Sequence, residues 1–356
     1  MVAYSGKTGE ALWKNLDRNY TGPCIIHNDL ILTTPNSYKT SAGAFRLLDG
    51  KPHFILNPLT QQEEPLAFSR AYGCNTPIAG EHMITFRSGA AGYYDLAGNS
   101  GTGNLGGFRS SCTSNLVIAN GVLNAPDYTR TCTCGYQNQT SLALIHMPEI
   151  DMWTHTKLGS NAKDGEIVRQ AGINLGAPGD RRAENGTLWL EYPVVGGDSP
   201  EIPVSIKGEN TTYYAHHSSR FEGNGLNWVS ASGVEHAERI TVTPSISNPS
   251  EEGNNEKKST DATIPKTKPT PKNYTVRLHF SEPKKLSEGD RIFDVYLQNN
   301  LALEMLDIAK ETKGDQRTLV KEFKGIQITD TLDIHLFSPQ HKQHGTILSG
   351  IELEAE

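Results

Sequence analysis

Tyr274-Thr275-Val276-Arg277-Leu278-His279-Phe280-Ser281-Glu282 reads as a strand. Its apolar and polar side chains alternate at the two-residue period that sends successive side chains to opposite faces of a sheet. The same period runs almost throughout from 272 to the end. Phe293, Val295 and Leu297 face one way, Ile326, Ile328, Leu332, Ile334 and Leu336 carry the pattern into later strands, and Ile347, Leu348, Ile351 and Leu353 close it. Half-buried antiparallel strands with turns every ~8–12 residues predict a β-sandwich. Upstream, Arg239-Ile240-Thr241-Val242 and Leu188-Trp189-Leu190-Glu191-Tyr192-Pro193 read as further strands, and Ala171-Gly172-Ile173-Asn174-Leu175-Gly176 opens this domain. Residues 247–272 are Asn, Ser, Glu, Lys, Thr and Pro with almost no apolar content. Such a stretch cannot bury enough surface to order itself, so a disordered surface loop inside the domain is expected.

Residues 1–150 carry a different rhythm. Three stretches beginning at Cys24, Cys74 and Cys112 each combine a short apolar strand, a polar turn and a second apolar strand. The turns centre on Asn28-Asp29, Gly80-Glu81 and Asn120-Gly121. Two apolar runs joined by Asn-Gly are the strongest short signal for a hairpin. The loose recurrence is in the range of propeller blades at ~40–50 residues, and four-stranded blades would explain the turn density.

Ala3-Tyr4-Ser5-Gly6-Lys7-Thr8-Gly9-Glu10-Ala11-Leu12-Trp13 resembles the blade motif of quinoprotein-like (PQQ-type) β-propellers, with Ser5 where that family has Asp. About three blades fit before residue 150, fewer than a closed propeller needs. The resemblance therefore implies the C-terminal piece of a longer protein, whose missing N-terminal blades are an expected partner. The strand at 274–282, Gly289-Asp290-Arg291-Ile292-Phe293-Asp294-Val295-Tyr296-Leu297-Gln298-Asn299, Leu306-Asp307-Ile308 and Gly350-Ile351-Glu352-Leu353 resemble the malectin family, with Ile173-Asn174-Leu175-Gly176 similar to its opening strand. This second resemblance covers roughly 170–356, and within it Arg291 and Asp294 read as a pair and Glu282 and Asp307 as residues that hold turns. It implies a jelly-roll-like β-sandwich that binds carbohydrate without chemistry. The expected architecture is thus all-β: partial propeller blades over 1–150, a linker over 151–170 and a malectin-like sandwich over 171–356.

The chain has 356 residues, and 33 basic against 40 acidic side chains give a net charge of −7. That balance argues against broad nucleic-acid binding. No run of 18 apolar residues suggests a membrane span. The five cysteines, at 24, 74, 112, 132 and 134, fit no zinc module. In an exported protein, Cys132 or Cys134 is expected to bridge to another strand, most plausibly to Cys112. Two cysteines one residue apart lie too far apart along a strand to pair with each other. Buried thiols or a functional site are the other readings.

Sugar recognition needs aromatic faces for the apolar side of the ring and planar polar groups for hydroxyls. Tyr213, Tyr214, His216, Trp228 and His344 are the candidate contacts. His344 lies in a segment, His341-Lys342-Gln343-His344, where malectin relatives carry an acid. In the blades, Arg70, Asn75, Arg87, Arg109, Asn124 and Arg130 form a second candidate cluster, with Arg87 and Arg130 suited to clamp a carboxylate or sulfate. Hydrogen bonding between blades is its alternative role. The paired cysteines, calcium site and stacking Trp of quinone dehydrogenases are not evident, so no PQQ, other cofactor or metal is expected. Gly101-Thr102-Gly103-Asn104-Leu105-Gly106-Gly107 lacks the Lys-Ser/Thr and helix of a phosphate loop and reads as a flexible inter-strand loop. The leading expectation is a non-catalytic, extracellular or periplasmic protein that binds oligo- or polysaccharide. Its rival is a polysaccharide-active or redox enzyme in the blades, with the malectin-like domain as targeting module. A third reading makes both domains adhesion units.

Overall fold

The Asn-Gly signal folds as it reads. Val117–Ala119 and Val122–Ala125 pair antiparallel, and the two turn residues Asn120 and Gly121 take φ of 51° and 75°, the left-handed pair a two-residue hairpin requires. Tyr20–His27 and Leu30–Pro35 form the hairpin around Asn28-Asp29, and Ile78–Ala79 pairs with Met83–Ser88 around Gly80-Glu81. The structure is a computed structural model describing residues 1–16, 20–35, 42–70, 73, 75–108, 115–126, 141–147, 149–156, 165–197, 199–247, 271–313, 317–338 and 344–356. The all-β expectation holds. Contacts divide the chain into two units: Met1–Asn161 with Gly179–Leu188 and Gly196–Ser199, and Ala162–Pro178 with Trp189–Val195 and Pro200–Glu356.

In the first unit, the described strands up to residue 145 pair antiparallel in sheets of two to five strands. A five-residue turn recurs in it. At Ser5, Asn57 and Asp95 a side-chain oxygen accepts the backbone N–H groups two and three residues on, at 2.8–3.3 Å. The fifth residue of each, Gly9, Gln61 or Asn99, has positive φ. At Ser5 the accepting oxygen is a hydroxyl, where Asn57 uses its amide oxygen and Asp95 its carboxylate. Trp13 donates from Nε1 to the Leu47 carbonyl at 3.0 Å, and its ring lies where a Cβ on Gly50 would sit. Leu32, Phe68, Ile84, Phe86 and Tyr94 make one core cluster, with Phe68 and Tyr94 stacked at 4.7 Å.

One reading of the sequence is overturned here. Within Gly101–Gly107, Thr102–Asn104 is a strand rather than a flexible loop, paired on both sides with Ala90–Asp95 and Thr154–His155. The glycines serve close packing: a Cβ on Gly103 would fall 2.3 Å from the Tyr93 ring, and one on Gly101 2.5 Å from the His155 carbonyl. Cys24 is exposed and free. The expected bridge among Cys112, Cys132 and Cys134 lies outside the described residues, as does nearly all of the 247–272 loop.

The second unit is a sandwich. One sheet runs in the order Leu188–Tyr192, Gln170–Leu175, Gly350–Ala355, Lys272–Ser281, Arg317–Ile328, Glu222–Gly223; the other runs Val204–Lys207, Arg239–Val242, Leu332–Phe337, Phe293–Leu297, Asn300–Leu306. The alternation read from 272 onward sets which face is inside: Tyr274, Val276, Leu278 and Phe280 are buried, as are Phe293, Val295, Leu297, Leu332, Ile334 and Leu336. Phe280 and Phe293 meet with ring centroids 6.1 Å apart. A small third sheet, Thr212–Ala215, Ser232–Glu235 and Ile347–Leu348, lies beside them.

The opposite face of the first sheet carries Trp189, fully buried. Its indole lies over Gly172, whose Cβ would stand 2.0 Å from the ring, and against Gly350, at 2.8 Å. Only glycine leaves room for that ring. Gly172→Ala is expected to lower the unfolding free energy by about 1–3 kcal/mol through overpacking, measured by chemical denaturation. Gly107→Ala, whose methyl would meet nothing within 4 Å, should move it by less than about 0.5 kcal/mol.

Candidate functional site

The Thr212–Ala215 strand carries Tyr213 and Tyr214 in succession, so their rings leave on opposite faces. Tyr213 is 44% exposed. Its phenol pKa is raised by partial burial and by the neighbouring Tyr192 phenol. Sequence reasoning missed Tyr192, since it sits at the end of a core strand with no local sign that it approaches Tyr213.

Tyr214 turns inward. Its hydroxyl lies 2.8 Å from Ser349 Oγ and 3.0 Å from Ser281 Oγ, and Ser281 Oγ donates to the Ser230 carbonyl at 2.7 Å. Burial pushes the phenol up to about 12. Its hydroxyl is thus committed to the fold, and Tyr214 offers only its ring to the next residue on the same face, His216.

The His216 ring is exposed. It sits 6.0 Å from the Tyr214 ring and 6.2 Å from that of Phe221, inclined 35° and 31° to them. Phe221 is fully buried, so two locked rings support one that reaches solvent. Arg220 Nη1 lies 2.9 Å from His216 Nδ1; a guanidinium can only donate, so Nδ1 is the acceptor and the proton of the neutral ring belongs on Nε2. Partial burial, then the Arg220 charge, hold the His216 pKa below its ordinary value. His217, on the other side of the chain, caps the short Ser218–Arg220 turn by accepting the Ser219 N–H at 3.2 Å.

Trp228 lies on the one-turn helix Asn227–Ser230. It is half-buried, and its ring meets Trp189 edge-on at 5.8 Å and 84°. The edge of Trp189 likewise meets His279 at 4.9 Å and 85°. Trp228 therefore stands on a buried aromatic base, with Val229 and Ser230 of the same turn buried beside it.

His344 enters through its backbone. Its carbonyl accepts from Arg291 Nη1 at 2.6 Å. Arg291 is 2% exposed; Nε donates to Glu282 Oε2 at 2.7 Å and Nη2 to Glu235 Oε1 at 2.7 Å. Lys284 Nζ reaches the same Glu235 carboxylate at 2.8 and 3.0 Å. Burial alone would raise the Glu235 pKa, but the bonds from Lys284 and Arg291 outweigh it and hold it below the carboxylate norm; burial pushes Glu282 up. An Arg291–Asp294 pair, the sequence reading for this stretch, does not form. Asp294 accepts the Met305 N–H at 2.7 Å instead, because it lies on a strand whose even positions face outward.

Of the second candidate cluster, in the first unit, the structure brings Arg70, Asn75 and Arg87 together. Arg70 donates to the Arg87 carbonyl at 2.9 Å and the Asn75 carbonyl at 2.6 Å, and Asn75 Oδ1 accepts the Arg87 N–H at 2.8 Å. All three are buried. Asn124 is exposed and bonds within its own hairpin. Arg109 and Arg130 lie outside the described residues. Among the described residues no group of three His, Cys, Asp or Glu is placed to hold a metal, and no helix is long and apolar enough to cross a membrane.

These features define a β-sandwich domain with an aromatic and histidine cluster beside its smallest sheet. A malectin-domain family model matches residues 256–349. A probable LRR receptor-like serine/threonine-protein kinase of Arabidopsis thaliana is 33% identical over 95 residues, 23% of this chain and 9% of that protein. A second such kinase of the same organism is 32% identical over 98 residues, 23% of this chain and 10% of that one. The chain thus spans about a tenth of the length of these curated relatives. The extracellular domain of ANXUR2 from Arabidopsis thaliana aligns with 14% identity and a TM-score of 0.36, covering 61% of this chain and 57% of that one.

Two measurements test this geometry. Arg291→Met should destabilise the protein by about 3–5 kcal/mol, since it leaves Glu235 and Glu282 buried without their shared cation; denaturant unfolding reads it directly. In a proton NMR titration His216 should change protonation below the usual histidine range, because partial burial and then the Arg220 charge disfavour its cation. Arg220→Ala should move that midpoint up while leaving it below the ordinary value, since the contribution of burial remains. A midpoint unmoved by Arg220→Ala would contradict the assigned bond.

Proposed function

We propose that this chain is a non-catalytic carbohydrate-binding protein working in an extracellular or periplasmic setting, with oligosaccharide held at the second unit by His216, Arg220 and Trp228. One observation carries the reading: an exposed His216 ring is held against two immobile rings, with a guanidinium at its edge. That combination supplies what a sugar requires, an apolar surface for the ring face and in-plane donors for hydroxyls, with little side-chain freedom lost on binding. The malectin-domain match over 256–349 supports the same class of ligand. Glucose-containing oligosaccharides are the first ligands to try, bound weakly because water competes for every hydroxyl.

The first unit we read as blades of the propeller type, acting as scaffold. The recurring turn at Ser5, Asn57 and Asp95 supports this, as does the use of Arg70 donors on main-chain carbonyls rather than on an open cleft.

A glycan array probed with the intact chain tests the reading. Removing one stacking ring should cost ~1–2 kcal/mol, up to roughly thirtyfold in affinity. Trp228→Ala and His216→Ala should each weaken retention of glucose oligosaccharides by that order. His216 is exposed, so its variant keeps the test valid where loss of Trp228 disturbs the Trp189 packing. Unchanged binding by a folded His216→Ala, Trp228→Ala pair would place any sugar site elsewhere.

A further inference from the structure

Three antiparallel sheets of the first unit stack face to face. The middle one, built on Met83–Ser88 and Ala90–Asp95, is buried on both sides. Its Ile84, Phe86 and Tyr94 meet Leu32, Ala44 and Phe68 of the sheet before it. Thr85 and Ala91 face the sheet after it: Thr85 Oγ1 donates to the Leu116 carbonyl at 2.7 Å, and Ala91 shares a core cluster with Leu116, Leu123 and Ala125. That last sheet runs Val117–Ala119, Val122–Ala125, Leu142–Ile145 and spends one face in this way. The register defines its other face. Ala119, Val122 and Ile145 stand in one row, and Val117, Asn124 and Ala143 in the next. Ile145 is 72% exposed and Val117 38%; Ala119, Asn124 and Ala143 are exposed too, and Val122 is half-buried. None of the six carries a charge.

Stacked repeats that end in water close the end with polar side chains. Here five of the six outward residues are hydrocarbon. The stack itself shows what covers a face of this make: an antiparallel sheet laid over it, ~10 Å away. The order of side-chain sizes says which sheet. A twofold axis parallel to the strands, midway between two such faces, sets the middle strand over its own copy and exchanges the outer two. Ile145 then lies over Ala119 of the second copy, and Val117 over Ala143 of the second copy. Large meets small in both rows, and each contact occurs twice. Val122 meets its own copy, and so does Asn124, whose amide can donate one N–H to its twin and accept one in return. The present bonds of Asn124, to the Val117 and Val122 carbonyls of its own hairpin, are long at 3.4 and 3.5 Å. A face that answers its own shape and hydrogen bonding fits a second copy better than an unrelated sheet, which would need the same sizes in reverse order and an amide at one point. We infer that this outward face is a self-association surface, pairing two copies of the chain through their first units about that axis. Six residues a side make a small contact, so the dimer is weak and concentration-dependent.

Sedimentation equilibrium of the intact chain, from micromolar to millimolar concentration, is the test. A reversible monomer–dimer equilibrium is expected. Ala119→Glu and Ile145→Lys should each raise its dissociation constant about tenfold or more, since each puts an unpaired charge against hydrocarbon. Both positions are exposed in the single chain, so the fold should persist, and circular dichroism checks it. Combined in one chain, the two changes face each other across the axis with opposite charge, twice per dimer. The double variant should therefore dimerise about tenfold more tightly than either single variant. The edge of Leu142–Ile145, at the end of the sheet order, offers a competing arrangement by strand-to-strand pairing. That arrangement would ignore Ala119→Glu, which lies on the far strand. Three outcomes overturn the inference: a chain that stays monomeric to millimolar concentration, a dimer that folded Ala119→Glu leaves intact, or a double variant no tighter than the single ones. No residue of the oligosaccharide surface takes part, so neither result decides the other.

Discussion

A buried guanidinium joins the parts of the second unit that sequence keeps far apart. Arg291 spends its donors on Glu282, at the end of the Lys272–Ser281 strand, on Glu235, at the end of Ser232–Glu235, and on carbonyls of His344 and Thr346 just before the last two strands. Burying such an ion costs several kcal/mol before any attraction is counted. Two carboxylates and two carbonyls offset that cost because each bond is charge-assisted. The arrangement fixes where three strand ends lie, and the loops between them inherit their positions from it. Lys284, half-exposed above Glu235, balances the second carboxylate and leaves the cluster close to neutral.

The two outward faces of the sandwich are finished in different ways. Behind the first sheet, Gly172 and Gly350 clear a floor for Trp189, which is then sealed by Trp228, Val229 and His279. Closing that face converts a large indole into core and gives the one-turn Asn227–Ser230 helix something to stand on, which a helix of that length needs. The second sheet keeps its outward side chains in solvent, and its row of rings, Tyr296, His335 and Phe337, is held by register alone. One face of the sandwich is thus covered by its own aromatic side chains, and the other keeps its side chains open to solvent.

Much of this was legible from the sequence. The two-residue period from 272 onward gave the sheets and the inward set, because each residue there needs only its own strand to decide its face. Asn120-Gly121 gave its hairpin for the same local reason. What local pattern could not give was any contact closed by distant residues. The partners of Arg291 lie 9, 53, 55 and 56 positions away, so the near neighbour Asp294 looked like the natural mate. Gly101–Gly107 read as loose because its glycines carry no side-chain signal, whereas their meaning lies in the Tyr93 ring and the His155 backbone pressed against them. Of the sugar contacts expected from the sequence, His216, Trp228 and Tyr213 keep ring surface at solvent. The hydroxyl of Tyr214 and the carbonyl of His344 are spent on structure, a distinction visible only once Ser281, Ser349 and Arg291 are in place.

That distinction also links the clamp to the candidate site. Ser281 precedes Glu282, and Ser349 follows Thr346 by three residues, so the two hydroxyls beside Tyr214 belong to the very segments that Arg291 pins. The phenol of Tyr214, fixed by these serines, orients the ring on which His216 leans. A buried polar network of this kind is rigid when every member is paired and costly when one is not. Loosening Arg291 would therefore reach His216 through Glu282, Ser281 and Tyr214 without any change to the residues at the surface. The orientation of the exposed His216 ring is thus tied, through Tyr214 and Ser281, to a buried charge cluster.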